Sequence, residues 1–388
     1  MKTYFYVISG RFASDDAMSM RVMSFCTILK ETGNDVIVIS LDDSEPYKIQ
    51  EHRGIKYVSI SSNSRAMLSR ILNYLLFKQR LKKTLTEKSA ETEVAGVFFY
   101  DIAPDAVLFL KKYTQKNKIK LFHDSVEWYS PEQFKWGRLA LAYLLKNFLN
   151  TRLIDKRVSV FAISKYLQHH FENKGIATTR VPILLDMQEV LSEKEISSDK
   201  LILLYAGSPG KKDYLKEIVG GLADLEEADL EKVRFHIFGI NEKQLAELCL
   251  VPTAVIERCR KSLIIHGRVK RSVVLDYMKQ ANFTVLLRST ELRYAKAGFP
   301  TKVVESLATA TPVMCNITSD LGDYLTDGEN ALLVKSCSEK EFKNTLEKAL
   351  ALSWEQRNEL CLNARKTAEA NFDYRNFITQ FESFIKEK

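Results

Sequence analysis

The stretch AGFPTKVVESLATATPV, residues 297–313, reads as a loop, then a helix, then a buried strand. The whole chain has 15 glycines and 8 prolines, and one of each, Gly298 and Pro300, stands just before this helix. Glycine lets backbone come close to whatever lies there, and proline has no N–H to lose in a helix's first turn. A helix start presents unpaired N–H groups and a partial positive charge, which suits a phosphate. Thr301 and Glu305 are four residues apart, so they share a face with about 6 Å of rise between them, roughly the span from a nucleotide's phosphates to its ribose. The plain alternative is an ordinary β-loop-α connection in which Glu305 is a solvated helix residue.

Outward from this stretch, short β-rich runs alternate with helical ones to both ends of the chain. Strands are expected at 3–9, 34–40, 55–61, 95–100, 119–124 and 159–164, and again at 201–207, 233–239, 262–267, 283–288, 312–316 and 330–335. Nearly continuous apolar strands separated by helices imply parallel sheets covered on both faces. The fold class is therefore α/β, with two doubly wound Rossmann-like domains, 1–186 and 201–372. The polar segment MQEVLSEKEISSDK, 187–200, is the linker between them. Ligands of open parallel sheets bind beyond the strands' carboxyl ends, so two such domains facing each other are expected to make a cleft.

A chain of 388 residues suits two domains of normal size. No apolar run reaches the roughly 18 residues of a membrane span, and MKTYFYVISGRF turns polar too early for a signal peptide, so a cytoplasmic protein is expected. The six cysteines form no CxxC pair, which argues for free thiols and against a metal site or a disulfide framework. The net charge of +8 is uneven: residues 1–190 hold 28 Lys and Arg against 20 Asp and Glu, while 191–388 hold 29 of each. Such asymmetry points to an anionic surface or ligand for the first half.

The first strand is followed by SGRFASDDAMSMR, with one glycine where a dinucleotide fingerprint needs GxGxxG, and no Walker A sequence occurs. The second half opens with LLYAGSPGKKDYL, a strand followed by Gly207, Ser208, Pro209, Gly210 and Lys211–Lys212–Asp213. Glycines allow close backbone approach, and a lysine ammonium is a point charge suited to a diphosphate, Lys212 first among the candidates. Taken alone, glycine plus lysine after a strand also describes a turn with a solvated charge.

AGSPGKKD, followed about ninety residues later by AKAGFPTKVVESLATATPV, resembles the C-terminal domain of GT-B fold glycosyltransferases of family 4, notably those building bacterial capsule or surface polysaccharides. The likeness extends to MRVMSFCTILKETGNDVIVIS, FAISKYLQHHFENKGI and VPILLDM in the first half. It implies a nucleotide-sugar donor, UDP or GDP, held as co-substrate by the second domain, an acceptor held by the first, no metal, and a terminal helix, 373–388, returning to the first domain. By the same resemblance Glu305 matches the glutamate on the donor ribose, Gly298, Phe299, Pro300 and Thr301 the loop at the donor phosphates and sugar, and Lys212 the diphosphate lysine. With Gly207, Ser208, Arg268 and Lys296 these make up the expected donor site. Two positions depart from the pattern: Ala297 stands where a second glutamate is usual, and Ser208 where an arginine is common. Lys296, Arg293 and Arg288 are the candidates to supply the missing donor contacts.

In the first domain LFHDSVEWYSP, 121–131, ends a strand with His123, Asp124 and Glu127. Asp124 and Glu127 are expected with Lys212 as catalytic residues, a carboxylate polarising the acceptor hydroxyl while the departing diphosphate receives the proton. The alternative is that Asp124 caps a turn and His123 packs in the sheet. SRAMLSRILNYLLFKQRLKKTL, 64–85, sets Leu68, Ile71, Leu72, Leu75 and Leu76 on one stripe among Arg65, Arg70, Lys78, Arg80, Lys82 and Lys83, and FKWGRLALAYLLKNFLNTRLIDKR, 134–157, repeats the basic-apolar mixture. Both suit an anionic membrane surface, although a core-facing helix with a wet basic side is the favoured reading of the first.

The expected function is a retaining glycosyltransferase moving a sugar from UDP or GDP to a glycan, lipid-linked in surface polysaccharide synthesis, on the inner face of the plasma membrane. A nucleotide-sugar epimerase and an inactive glycan-binding or scaffold subunit are the alternatives. No motif supports nucleic-acid binding.

Overall fold

The structure, a computed structural model, describes residues 2–14, 16–61, 67–190, 193–196, 199–207 and 212–387, with the backbone alone for 67–71. It divides into two compact units, Met1–Asp186 with Tyr374–Lys388, and Met187–Asp373. Residues 187–200, expected as a linker, belong to the second unit, where the Lys194 ammonium donates to the Met278 and Ala281 carbonyls at 2.6 and 2.7 Å.

Among the described residues the first unit carries β1 (Thr3–Ile8), β2 (Asp35–Ser40), β3 (Ile49–His52), β4 (Ile55–Ser59), β5 (Val94–Tyr100), β6 (Lys120–Ser125), β7 (Ser159–Ala162) and β8 (Thr178–Arg180). They form one sheet in the order β3-β4-β2-β1-β5-β6-β7-β8, parallel except where β3 pairs with β4. The second unit carries β9 (Leu201–Ala206), β10 (Val233–Phe238), β11 (Leu263–Gly267), β12 (Phe283–Leu286), β13 (Val313–Cys315) and β14 (Ala331–Leu333), in the parallel order β11-β10-β9-β12-β13-β14. Every strand expected from an apolar run is present. β3 and β8 are additional: IQEH alternates between exposed and half-buried, and TTR is a polar edge strand, so neither has an apolar run to announce it.

In both sheets the strand order reverses at the first strand. The connections on its two sides cover opposite faces, and the loops leaving the reversal part at their carboxyl ends, where doubly wound folds take ligands. These switch points fall between β1 and β5 and between β9 and β12.

The first core is aromatic. Phe98 stacks on Tyr6 and Phe122, and Phe381 of the terminal helix Ile378–Lys386 closes on Phe161 at 4.5 Å and on Phe25 at 5.0 Å. Helix Met67–Ser89 packs through Phe77, Leu81 and Leu85, one turn apart. The helix therefore faces the core with Lys82 and Lys83 wet, as the favoured reading has it, but its buried face follows the 77–81–85 spacing and leaves Leu72 and Leu75 of the expected stripe exposed. Arg65 and the side chains of Leu68, Arg70 and Ile71 lie outside the described residues.

Asp124, expected at the reacting centre, is buried, and its carboxylate is fully engaged within the first unit. Its carboxylate accepts from Arg21 Nε at 2.9 Å, Arg21 Nη2 at 2.7 Å and the Tyr6 hydroxyl at 2.7 Å, and Arg21 also donates to the Val181 and Pro182 carbonyls. Arg21 comes from helix Ala17–Glu31, which Asp16 caps by accepting from the Ser19 N–H. The pair thus ties that helix to β6 and to the chain after β8. Removing one partner of a buried pair strands the other charge and costs about 3–5 kcal/mol. Asp124→Ala should therefore destabilise the first unit by that order. Urea titration read by hydrogen exchange in β1 and β6 measures it, and an unchanged midpoint would return Asp124 to the catalytic candidates.

Candidate functional site

In the second unit Gly207 and Asp213, on either side of residues 208–211, meet the start of helix Thr301–Ala308 at the β9/β12 switch point. Gly207, just past β9, has φ +143°, and a Cβ there would lie 2.5 Å from Lys302 Cε. The positive φ favours glycine here, and the end of the Lys302 side chain lies against its backbone. Lys302 is the second residue of helix Thr301–Ala308, capped by Pro300. Its ammonium donates to Asp213 Oδ2 at 2.6 Å and to the Tyr205 hydroxyl at 2.8 Å, and sits 4.1 Å over the Tyr205 ring. Arg288 Nε donates to the other Asp213 oxygen at 2.7 Å, and Tyr205 donates to Oδ2 at 2.6 Å.

Two cations thus share one buried carboxylate. Burial alone would raise the Asp213 carboxyl, but Lys302 and Arg288 overcome it and hold the group at about 2. Burial is also the largest influence on Lys302, whose ammonium is lowered against the pull of Asp213. A part-buried positive excess therefore stands at the start of an eight-residue helix.

Glu305 lies one turn into this helix and accepts from Arg271 Nη2 at 3.1 Å. Lys212 lies beside the cluster, its ammonium 5.9 Å from the Tyr294 ring centroid and its carbonyl accepting from the Tyr294 hydroxyl. Gly298 and Thr301 flank the turn into the helix. Ser208, with Pro209, Gly210 and Lys211, lies outside the described residues. Arg268 is exposed in the connection after β11, and Lys296 pairs with Glu291 at 3.7 Å. Phe299 turns its ring into the core against Tyr324 and Phe372, so in this loop only its backbone is left to meet a ligand. Ala297 is fully buried.

In the first unit, a cavity of about 1000 Å³ opens at the β1/β5 switch point. Its floor carries Asp101, just past β5, whose carboxylate accepts from Lys146 at 2.6 and 2.7 Å, and Arg11, paired with Asp43 at 2.8 Å. Asp101 and Lys146 also border a pocket of about 30 Å³ that includes Glu127 and Tyr129, and the Lys146 ammonium lies 4.6 Å over the Tyr129 ring. Both expected carboxylates border this pocket, Glu127 exposed and Asp124 buried and held by Arg21 and Tyr6. His123 is buried and stacked on Phe99 at 4.6 Å, and burial pushes its imidazole down to about 4, leaving it neutral near pH 7. Residue spacing missed Lys302, Asp213, Arg271, Asp101 and Lys146. Asp101 did carry a signal, an acid ending the apolar run VFFY at a strand's carboxyl end.

Residues 186–367 match the family model described as "Glycosyl transferases group 1". The chain is 22% identical over 301 residues to an "Uncharacterized 41.2 kDa protein in cps region" of Klebsiella pneumoniae, covering 72% of this chain and 74% of that protein. Its fold is similar to sucrose-phosphate synthase from Thermosynechococcus elongatus, with TM-score 0.76, 14% identity and 98% of each chain covered. It is also similar to Anabaena Alr3699/HepE in complex with UDP and glucose, with TM-score 0.69, 13% identity and 100% of each chain covered.

The Asp213 cluster sets a pH dependence. A carboxyl lowered from 3.8 to about 2 by folding contributes about 2 kcal/mol, fully present above pH 4 and lost as pH falls through about 2. Asp213→Asn removes this contribution, so between pH 4 and pH 2 the variant should lose about 2 kcal/mol less than the wild type. Urea midpoints across that range check it, and parallel curves would refute the cluster's electrostatic role.

Proposed function

Because the chain is a GT-B glycosyltransferase whose residues 186–367 form a glycosyl transferases group 1 domain, we propose that it moves a sugar, with retention, from a UDP or GDP donor to a lipid-linked glycan in bacterial surface polysaccharide synthesis. The observation that carries the donor half is the positive excess of Lys302 and Arg288 over Asp213 at the start of helix Thr301–Ala308, with Glu305 one turn further in. Diphosphate meets the helix start and the cations, and the ribose hydroxyls share the Glu305 carboxylate with Arg271. The Anabaena complex with UDP supports the nucleotide, and the cps-region relative supports the polysaccharide, capsular in kind.

In the transfer, the bond from the anomeric carbon to the phosphate oxygen breaks and a bond to the acceptor oxygen forms on the same face. The departing diphosphate takes the acceptor's proton, a route favoured by Asp124 being committed to Arg21. Lys212 and Lys302 neutralise the charge that builds on the leaving oxygen, the part a divalent cation takes in other transferases.

Glu305→Gln keeps the shape but loses charge-assisted hydrogen bonds to the ribose diol, worth roughly 1.5–3 kcal/mol. Calorimetry with UDP and GDP should show that loss for whichever nucleotide the wild type prefers. Unchanged affinity would remove Glu305 from the donor site.

The first unit is proposed to work on the inner face of the plasma membrane. Among the described residues no helix is long and apolar enough to cross a membrane, but the segment from Trp136 to Phe148 exposes Trp136 (72%), Leu139 (83%), Leu141 (68%), Leu144 and Phe148. Helix Met67–Ser89 exposes Leu72, Tyr74 and Leu75 ahead of Lys82 and Lys83. Basic residues near an anionic surface contribute about 1 kcal/mol each and fade with salt, whereas apolar insertion does not. Sedimentation with anionic vesicles should fall for Lys82→Glu with Lys83→Glu at low salt and for Leu139→Ser at any salt. A wild type that ignores anionic vesicles at low salt would exclude this docking.

A further inference from the structure

Two cations fasten residues 187–196 to the second unit, and both hold carbonyl oxygens at helix ends. Lys194 directs its three ammonium hydrogens at the Met278 carbonyl at 2.6 Å, the Ala281 carbonyl at 2.7 Å and the Thr311 hydroxyl at 2.9 Å. Arg365 donates to the Met187 and Val190 carbonyls of the segment and to the Ala308 carbonyl. Met278 and Ala281 stand in and just after the last turn of helix Arg271–Gln280, and Ala308 ends helix Thr301–Ala308. The last carbonyls of a helix lack partners within it and form its negative end, so a cation there is favourable. Glu195 adds a backbone tie, its N–H donating to the Lys279 carbonyl at 2.9 Å.

The same two helices meet at their other ends in the candidate donor site. Arg271 opens the first, and Glu305, one turn into the second, accepts from it at 3.1 Å. Helix Arg271–Gln280 is lightly packed: Met278 is its one buried residue, and Tyr277 rests edge-on against the Phe238 and His266 rings at 5.1 and 4.9 Å. Both grips lie in its second half. From Met278 back to Arg271 the axis runs about 10 Å. Ser272 and Val273, next to Arg271, are exposed. A helix gripped at one end swings at the other, so the direction of Arg271 depends on how firmly the C-terminal turn is held.

We propose that Lys194 is a positioning residue for the donor site: by tying the C-terminal turn of helix Arg271–Gln280 to Thr311, just beyond helix Thr301–Ala308, it fixes Arg271 against Glu305 and so aims the Glu305 carboxylate at the ribose diol. The proposal rests on the donor reading, which places the ribose at Glu305. Three acceptors gathered at one point need three donors there, and an ammonium supplies them.

The tie therefore depends on charge state. A neutral amine offers two hydrogens and a lone pair, which would face an oxygen. Burial is the main influence on Lys194 and lowers it to about 8, with Cys361 opposing. Helix Trp354–Phe372 brings Cys361, a thiol pushed up to about 11 by burial, and Arg365 to this region; helix Arg271–Gln280 brings Lys279, paired with Asp276 at 3.9 Å; Glu193 and Glu195 flank Lys194 in the chain. A lysine lowered by folding holds its proton more readily in the unfolded chain, so the fold gains stability as pH rises from about 8 toward 10.5. Donor affinity lost across that window does not come from unfolding.

Calorimetry on the full chain with UDP, GDP and inorganic pyrophosphate, from pH 7.5 to pH 9.5, tests this, together with hydrogen exchange in helix Arg271–Gln280 at one fixed pH. Lys194→Met, which keeps the apolar stem, should weaken the preferred nucleotide roughly tenfold. It should leave pyrophosphate unchanged, because that ligand has no ribose and meets cations anchored on Asp213. Exchange in the helix should quicken. Wild-type affinity for the nucleotide should fall by a comparable factor over the pH range while the urea midpoint does not fall. Lys194→Arg stays charged throughout, so it should restore binding at pH 7.5 and abolish the pH dependence. Equal losses of nucleotide and pyrophosphate, a flat wild-type profile, a Lys194→Arg variant that keeps the pH dependence, or unaltered exchange in Lys194→Met would overturn the proposal. If the wild type binds neither UDP nor GDP, the donor reading fails, and the exchange arm by itself decides whether Lys194 holds the helix.

Discussion

A parallel sheet wound in both directions from one strand must leave a gap at that strand's carboxyl end, and this chain meets the requirement twice, beside β1 and beside β9. Each gap is furnished alike. An aspartate in the loop region, Asp101 or Asp213, is held at 2.6 Å by a lysine from a neighbouring helix, Lys146 or Lys302. The two pairs differ in burial, and their physics follows from that. Asp213 is nearly inaccessible, so its cations are little screened and the cluster is a fixed part of the second unit. Asp101 and Lys146 keep about a third or more of their side chains in water, where an ion pair contributes about 0–1 kcal/mol, so a ligand hydroxyl can join the carboxylate at small cost. One pair shapes a site, and the other is available to a substrate.

The same contrast explains why the sequence led to some residues and not others. The apolar runs required parallel strands because no other arrangement buries both faces of VFFY or LILLY, and the helix after Gly298 and Pro300 was legible because helix starts have local chemistry. Both are matters of neighbours along the chain. Asp124 shows the limit: at a strand's end it looks the same in sequence whether it faces a cavity or a buried guanidinium, and its partner Arg21 is 103 residues away. Lys302 escaped notice for the same reason, since its place is decided by Tyr205, Gly207 and Asp213, which the sheet order alone brings beneath it. The direction of the Phe299 ring is likewise hidden in the sequence, because Tyr324 and Phe372, which enclose it, come from distant segments.

The departures at Ala297 and Ser208 can now be weighed by charge. A glutamate at 297 would add a carboxylate to a region where Asp213 already meets two cations and Glu305 already meets Arg271. With alanine there, fully buried on the short helix Arg293–Ala297, the local balance tilts further toward positive. The positive charge that an arginine at 208 would bring is supplied near the helix start by Lys302 and Arg288, both anchored on Asp213. On the proposed donor reading, such a site favours the diphosphate over the sugar, because charge is retained while a hydrogen-bonding partner for sugar hydroxyls is given up. On the proposed reaction, donor affinity then rests chiefly on the nucleotide, and selectivity among sugars has to arise from contacts that Ala297 does not make.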